Sequence, residues 1–115
     1  MHELSIMKSA LDEALREAGA AGAGRVHEIR LRVGALSGVV PDALRFAFEV
    51  LAPGTPAEGA ALIIDTVPPR FRCAQCRRDF EAPDFFAECP DCGAPSGELR
   101  SGRELELSSL EVEYV

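Results

Sequence analysis

Cys73-Ala74-Gln75-Cys76 and Cys89-Pro90-Asp91-Cys92, with twelve residues between the two pairs, decide how this chain of 115 residues is built. Two residues between cysteines let both sulfurs reach one ion from a single tight turn, whose backbone N–H groups stabilise the thiolates. Two such turns complete a tetrahedral shell of four sulfurs, with zinc–sulfur bonds of about 2.3 Å. Gly93 suits the left-handed position that closes a knuckle, and Pro90 stiffens the turn before it. Soft thiolates in this geometry favour zinc over iron. A closed shell has no position for water or substrate, so the metal implied is structural Zn(2+), held by Cys73, Cys76, Cys89 and Cys92.

Around the cysteines lie four of the six phenylalanines, Phe71, Phe80, Phe85 and Phe86. They read as the small core of a metal-stapled module, and alternatively as a platform on which nucleic-acid bases stack. Charge weighs against the platform. Between residues 70 and 92 the arginines 70, 72, 77 and 78 face the acids 79, 81, 84, 88 and 91, four against five.

Working outward, Pro68-Pro69 ends a strand expected near 60–67, because proline cannot extend the ladder. On the amino-terminal side, residues 3–18 are expected as an amphipathic helix, with Leu4, Met7, Leu11, Ala14, Leu15 and Ala18 at steps of three and four. The run Gly19-Ala20-Ala21-Gly22-Ala23-Gly24 ends it. Residues 25–33 alternate as a strand that directs His27, Ile29, Leu31 and Val33 one way, so His27 is expected to be half-buried. Pro41 opens a second helix to Leu51, with Leu44, Phe48 and Leu51 inward and Pro53-Gly54 as its stop. Leu105, Leu107, Leu110, Val112 and Tyr114 alternate again, with a change of parity at Ser108-Ser109 that suggests a bulge. This last strand is too apolar to hang free and is expected to return to the first domain. The expectation is an α+β chain: residues 1–67 plus 99–115 form one domain, and residues 68–98 form an inserted zinc ribbon.

An apolar fraction of 47% is that of a globular protein. No apolar run approaches the ~18 residues of a membrane span, so no membrane partner is expected. The start lacks a basic region followed by an apolar stretch, which predicts a cytoplasmic protein whose thiols stay reduced and bind metal rather than pair as disulfides. The net charge of -7 disfavours a phosphate backbone as partner. An enzyme is not expected, since there is no Gly-rich phosphate loop, no nucleophile–His–acid set and no open metal shell.

The amino terminus carries two readings. In one, Glu3 is a first-turn acid that complements the helix dipole and His2 is a frayed terminal residue. In the other, the terminal amine, the His2 amide nitrogen and the His2 imidazole close fused chelate rings, the square-planar nitrogen set that Ni(II) and Cu(II) favour.

Met1-His2-Glu3-Leu4-Ser5, the segment from Val33-Gly34 through Ser37-Gly38 to Pro41, Ala43-Leu44-Arg45-Phe46-Ala47-Phe48, Ala57-Glu58-Gly59-Ala60 and the two cysteine pairs together resemble the HypA/HybF family of hydrogenase nickel-incorporation proteins. The match is collinear over essentially the whole chain. The resemblance implies two helices packed on a three-stranded sheet, with the zinc ribbon inserted before the last strand. It also implies a nickel metallochaperone that works with a nickel-insertion GTPase partner and passes Ni(2+) to the large subunit of [NiFe]-hydrogenase. A homodimer is compatible with it. By the same resemblance the nickel ligands map onto Met1, His2 and Glu3, with Asp42 as counterpart of an acidic residue ahead of the second helix. A zinc-ribbon adaptor or nucleic-acid-binding module is the alternative.

Overall fold

The apolar residues of the first helix recur so that one stripe must be buried, and that stripe fixes where the helix lies. In a computed structural model that describes residues 2–81, 88–95 and 98–114, α1 spans Glu3–Ala20 and buries Met7, Leu11, Ala14 and Ala18. Leu4 is 54% exposed, so the buried stripe begins a turn later than its spacing suggests. Gly22, at a φ of 81°, turns the chain into β1, Ala23–Gly34. α2 runs Pro41–Leu51, with the fixed φ of Pro41 preorganising its first turn, and buries Leu44, Ala47 and Phe48.

Three strands form the first sheet in the order β2-β1-β6, where β2 is Ala61–Val67 and β6 is Leu105–Tyr114. β2 lies parallel to β1, as a strand reached through a helical crossover can, and β6 lies antiparallel on the other side. The last strand therefore does return to the first sheet. Ser108 is the extra residue of a bulge, since Arg30 pairs Ser109 and Leu31 pairs Leu107. Val26, Ile29, Leu31 and Val33 of β1 meet the two helices in one core. The opposite sheet face carries Arg30–Asp65 at 3.3 Å and Arg32–Glu106 at 2.8 Å, exposed pairs that add little stability but mark the solvent side.

A second register shift, between Val26 and Glu28, corrects the expectation for His27. The bulge gives the core position to Val26 and turns His27 to solvent, where its Nε2 lies 3.4 Å from the Glu113 carboxylate with half the side chain exposed. Strict alternation cannot foresee that change of face.

A separate sheet holds β3 (Arg70–Arg72), β4 (Asp79–Glu81) and β5 (Glu98–Ser101) in the order β4-β3-β5. Its core is Phe71, stacked on Phe80 with ring centroids 6.0 Å apart and flanked by Leu99 and Leu36. Phe71 is 3% exposed, which removes it from any stacking surface. Phe85 and Phe86 lie outside the described residues. The two sheets make a long molecule: the radius of gyration is 17.5 Å, against about 13 Å for a compact chain of this length.

Where the chain passes between the sheets, Gly34 and Gly102 touch backbone to backbone. A Cβ on Gly34 would overlap the Gly102 carbonyl group, so no other residue fits there. The amides of Gly34 and Leu36 donate to the carbonyls of Glu104 and Gly102, both at 2.6 Å.

Candidate metal centres

Each cysteine pair sits on a turn that its own backbone closes. In the first knuckle the Arg77 amide donates to the Cys73 carbonyl at 2.8 Å, and the Cys73 amide to the Arg78 carbonyl at 2.9 Å. The second repeats this, with Gly93 donating to Cys89 at 2.8 Å and Cys89 to Ala94 at 2.9 Å. Arg77 and Gly93 occupy the same place, four residues after the first cysteine, and both have left-handed φ, 57° and 74°. The equivalence of the two turns was the available signal that Arg77 would adopt a conformation glycine prefers.

The four sulfurs lie within 4.8 Å of one another, the sole such group of three or more potential ligands among the described residues. Cys73 and Cys92 are 3.6 Å apart, and Cys76 and Cys89 are 3.8 Å apart. A tetrahedron with bonds of about 2.3 Å has edges of about 3.8 Å, so the donor set fits a zinc ion in both chemistry and size. Without metal the thiols differ. The Cys76 amide on its sulfur lowers the Cys73 pKa to about 7, while hydrogen bonds that the Cys76 thiol donates to the neighbouring sulfurs, Cys92 first, push Cys76 up to about 12. On Cys92 the Ala94 amide pulls downward, but burial and the Cys73 and Cys89 thiols leave it raised.

At the other end, His2 is the N-cap of α1 and makes no side-chain capping bond. It is exposed at a groove of about 550 Å³ shared with Glu3, Ala43, Phe46 and Val50. The Glu3 carboxylate accepts the Val40 amide at 3.1 Å, and this bond is the main cause that lowers its pKa below the usual carboxylate value. Val40 is the N-cap of α2 and has no side-chain acceptor of its own. A helix that starts Val40-Pro41 needs an acceptor from elsewhere, and that need was the trace of this contact in the sequence.

Asp42 stands in the first turn of α2, 96% exposed and 3.7 Å from the Arg45 guanidinium. His2, Glu3 and Asp42 are not drawn into a ligand cluster. Met1 lies outside the described residues.

Residues 1–112 match the family described as hydrogenase/urease nickel incorporation, metallochaperone, hypA. The chain belongs to the HypA family. Its relatives include the hydrogenase maturation factors HypA of Picosynechococcus, 51% identical over 97% of this chain and 99% of that one, and of Chloroflexus aggregans, 46% identical with the same coverage. The solution structure of the nickel metallochaperone HypA from Helicobacter pylori shares the fold, with a TM-score of 0.68 over 100% of both chains at 22% identity. As a HypA-family member this chain is a metallochaperone of hydrogenase nickel incorporation, with a cysteine cluster that suits zinc. Among its described helices none is long and apolar enough to cross a membrane.

Proposed function

We infer that the chain binds Ni(II) through its amino-terminal segment, with His2 and Glu3 as principal ligands and Met1 and Asp42 as further ones. It then delivers the ion to the large subunit of [NiFe]-hydrogenase in the cytoplasm, together with a nickel-insertion GTPase. The boundary expected at residue 98 moves to Ser101, because β5 pairs with β3, so residues 1–67 plus 102–115 form the nickel-binding module. Residues 68–101 hold a structural zinc whose closed thiolate shell supplies folding energy rather than chemistry.

The observation that carries this reading is the placement of His2 beside Glu3. The imidazole has no capping bond to give up, and it stands next to a carboxylate already anchored by the Val40 amide. One Glu3 oxygen holds that amide, and a carboxylate keeps further lone pairs for an ion. Few donors on an exposed edge suit a metal that must leave again. Asp42 offers its carboxylate from the same end of α2 but has to release Arg45 first.

Nickel titration of His2→Ala tests the site: specific binding should fall at least tenfold while the zinc content and the circular dichroism spectrum stay as they were. Unchanged nickel affinity would overturn the assignment.

A further inference from the structure

β6 is an edge strand ten residues long, with one side on β1 and no strand on the other among the described residues. Two features separate it from an ordinary solvated edge. Beneath it, on the helix side of the sheet, runs a groove of about 310 Å³ between α1 and the edge, lined by the apolar Ile6, Ala10, Leu105 and Leu107 and by the acidic Glu13 and Glu106 among others. Leu105 is 43% exposed although it faces this groove.

Above the edge, on the solvent face, stands a row of carboxylates: Glu106, Glu111 and Glu113. Glu106 reaches Arg32 and Glu113 reaches His27. Glu111 sits directly opposite Glu28 of β1. Like charges opposed across two strands destabilise the pair, so this position is held at a cost that a cation arriving from outside would relieve.

The geometry points to β6 as a strand-addition site for an extended segment of a partner protein in which apolar and basic residues alternate. The added backbone pairs with the open edge of β6. Its side chains then follow the pleat of its neighbour: one set enters the groove over Ile6 and Leu107, and the other stands beside Glu106, Glu111 and Glu113.

A second copy of β6 is a poor occupant. Antiparallel pairing centred on Ser108 and Ser109 would set Glu106 opposite Glu111 of the copy, and charge repels where it should attract. The β2 edge is the weaker competitor, being seven residues long and closed by Pro68-Pro69.

This surface goes beyond the proposed nickel site and can be tested without nickel, so failure of either leaves the other standing. The probes are capped heptapeptides: one alternating valine and arginine, one alternating valine and glutamate, and the first with alternate backbone nitrogens methylated. Amide hydrogen exchange of the zinc-loaded full chain reads the site of binding. The valine–arginine peptide should slow exchange along residues 105–114, the methylated form should bind at least tenfold more weakly, and the valine–glutamate form should not bind.

Glu111→Lys with Glu113→Lys lies on the solvent face and should reverse the preference between arginine and glutamate peptides. Glu111→Gln, the milder change, should weaken the arginine peptide a few-fold. No binding, protection on β2 or on the α2 groove instead, or equal binding by the methylated peptide would each overturn the proposal.

Discussion

The Glu3 carboxylate accepts the backbone N–H of Val40 at 3.1 Å, across 37 positions of sequence, and so joins the start of α1 to the N-cap of α2. In this respect Glu3 does from another helix what the third residue of a capping box does within one. The amide favours the ionised carboxyl, so the folded pKa lies below the ordinary glutamate value. The bond therefore contributes fully above about pH 4.3, the unfolded carboxylate value, and is lost as pH falls through the lowered folded value. In an NMR titration the Val40 amide proton should shift with a midpoint below the ordinary glutamate value, and Glu3→Gln should abolish that midpoint. A Val40 resonance unmoved between roughly pH 6 and pH 3 would dismiss the contact.

Zinc loading should depend strongly on pH. In the metal-free cluster the Cys73 thiol is lowered to about 7, while Cys76 is pushed up to about 12 and Cys92 is also raised. At neutral pH, Cys76 and Cys92 thus carry protons that must leave when their sulfurs bind metal. Two protons released per ion make the apparent affinity rise about a hundredfold per pH unit. Calorimetry in buffers of differing ionisation enthalpy should count at least two. A count near zero would mean that the thiols are already ionised, contrary to this electrostatic picture.

The two knuckles allow a test of backbone strain by exchange of residues. Gly93 has a φ of 74° and open space where a Cβ would stand. Gly93→Ala therefore meets no clash, and its penalty is conformational, about 1 kcal/mol on the zinc-bound ribbon. Arg77, at 57°, already bears that strain, so Arg77→Gly should stabilise the first knuckle by several tenths of a kcal/mol. Competition with a zinc chelator measures both. Equal tolerance of alanine and glycine at the two positions would show that the left-handed turns are not maintained in solution.

Both helices, the two long strands at residues 25–33 and 60–67, and the bulge at Ser108 were legible because each rests on local periodicity or on a proline. The cysteine cluster was legible because two short spacings and one kind of donor allow few geometries. His27 was misplaced by a bulge that leaves no compositional mark, and Leu4 by a stripe that runs past the end of the core. The anchoring of Glu3 by Val40 and the meeting of Gly34 with Gly102 could not be read, since each joins segments far apart in sequence. The sequence indicated which residues could ligate and left open what holds them in place. Glu3 is anchored before any ion arrives, whereas Asp42 extends to solvent.

Chelation at the start of the chain makes one asymmetric demand. If the Met1 amine and the His2 amide join the imidazole, then residues added before Met1 turn the amine into an amide and crowd the groove of His2, Glu3 and Phe46. An amino-terminal extension should weaken nickel binding at least tenfold, and the same extension at the carboxyl terminus should not. Affinity should also fall from mildly alkaline to mildly acidic pH, because nitrogen donors must give up their protons to ligate. A site built on His27, whose exposed ring lies 3.4 Å from the Glu113 carboxylate near the other terminus, would respond in the opposite order to the two extensions. Nickel titrations of the native chain, His2→Ala and the two extended forms separate these cases. Full affinity in the amino-terminally extended form with none in His2→Ala would retain the imidazole and remove the amine. Loss only in the carboxyl-terminally extended form would move the site to His27.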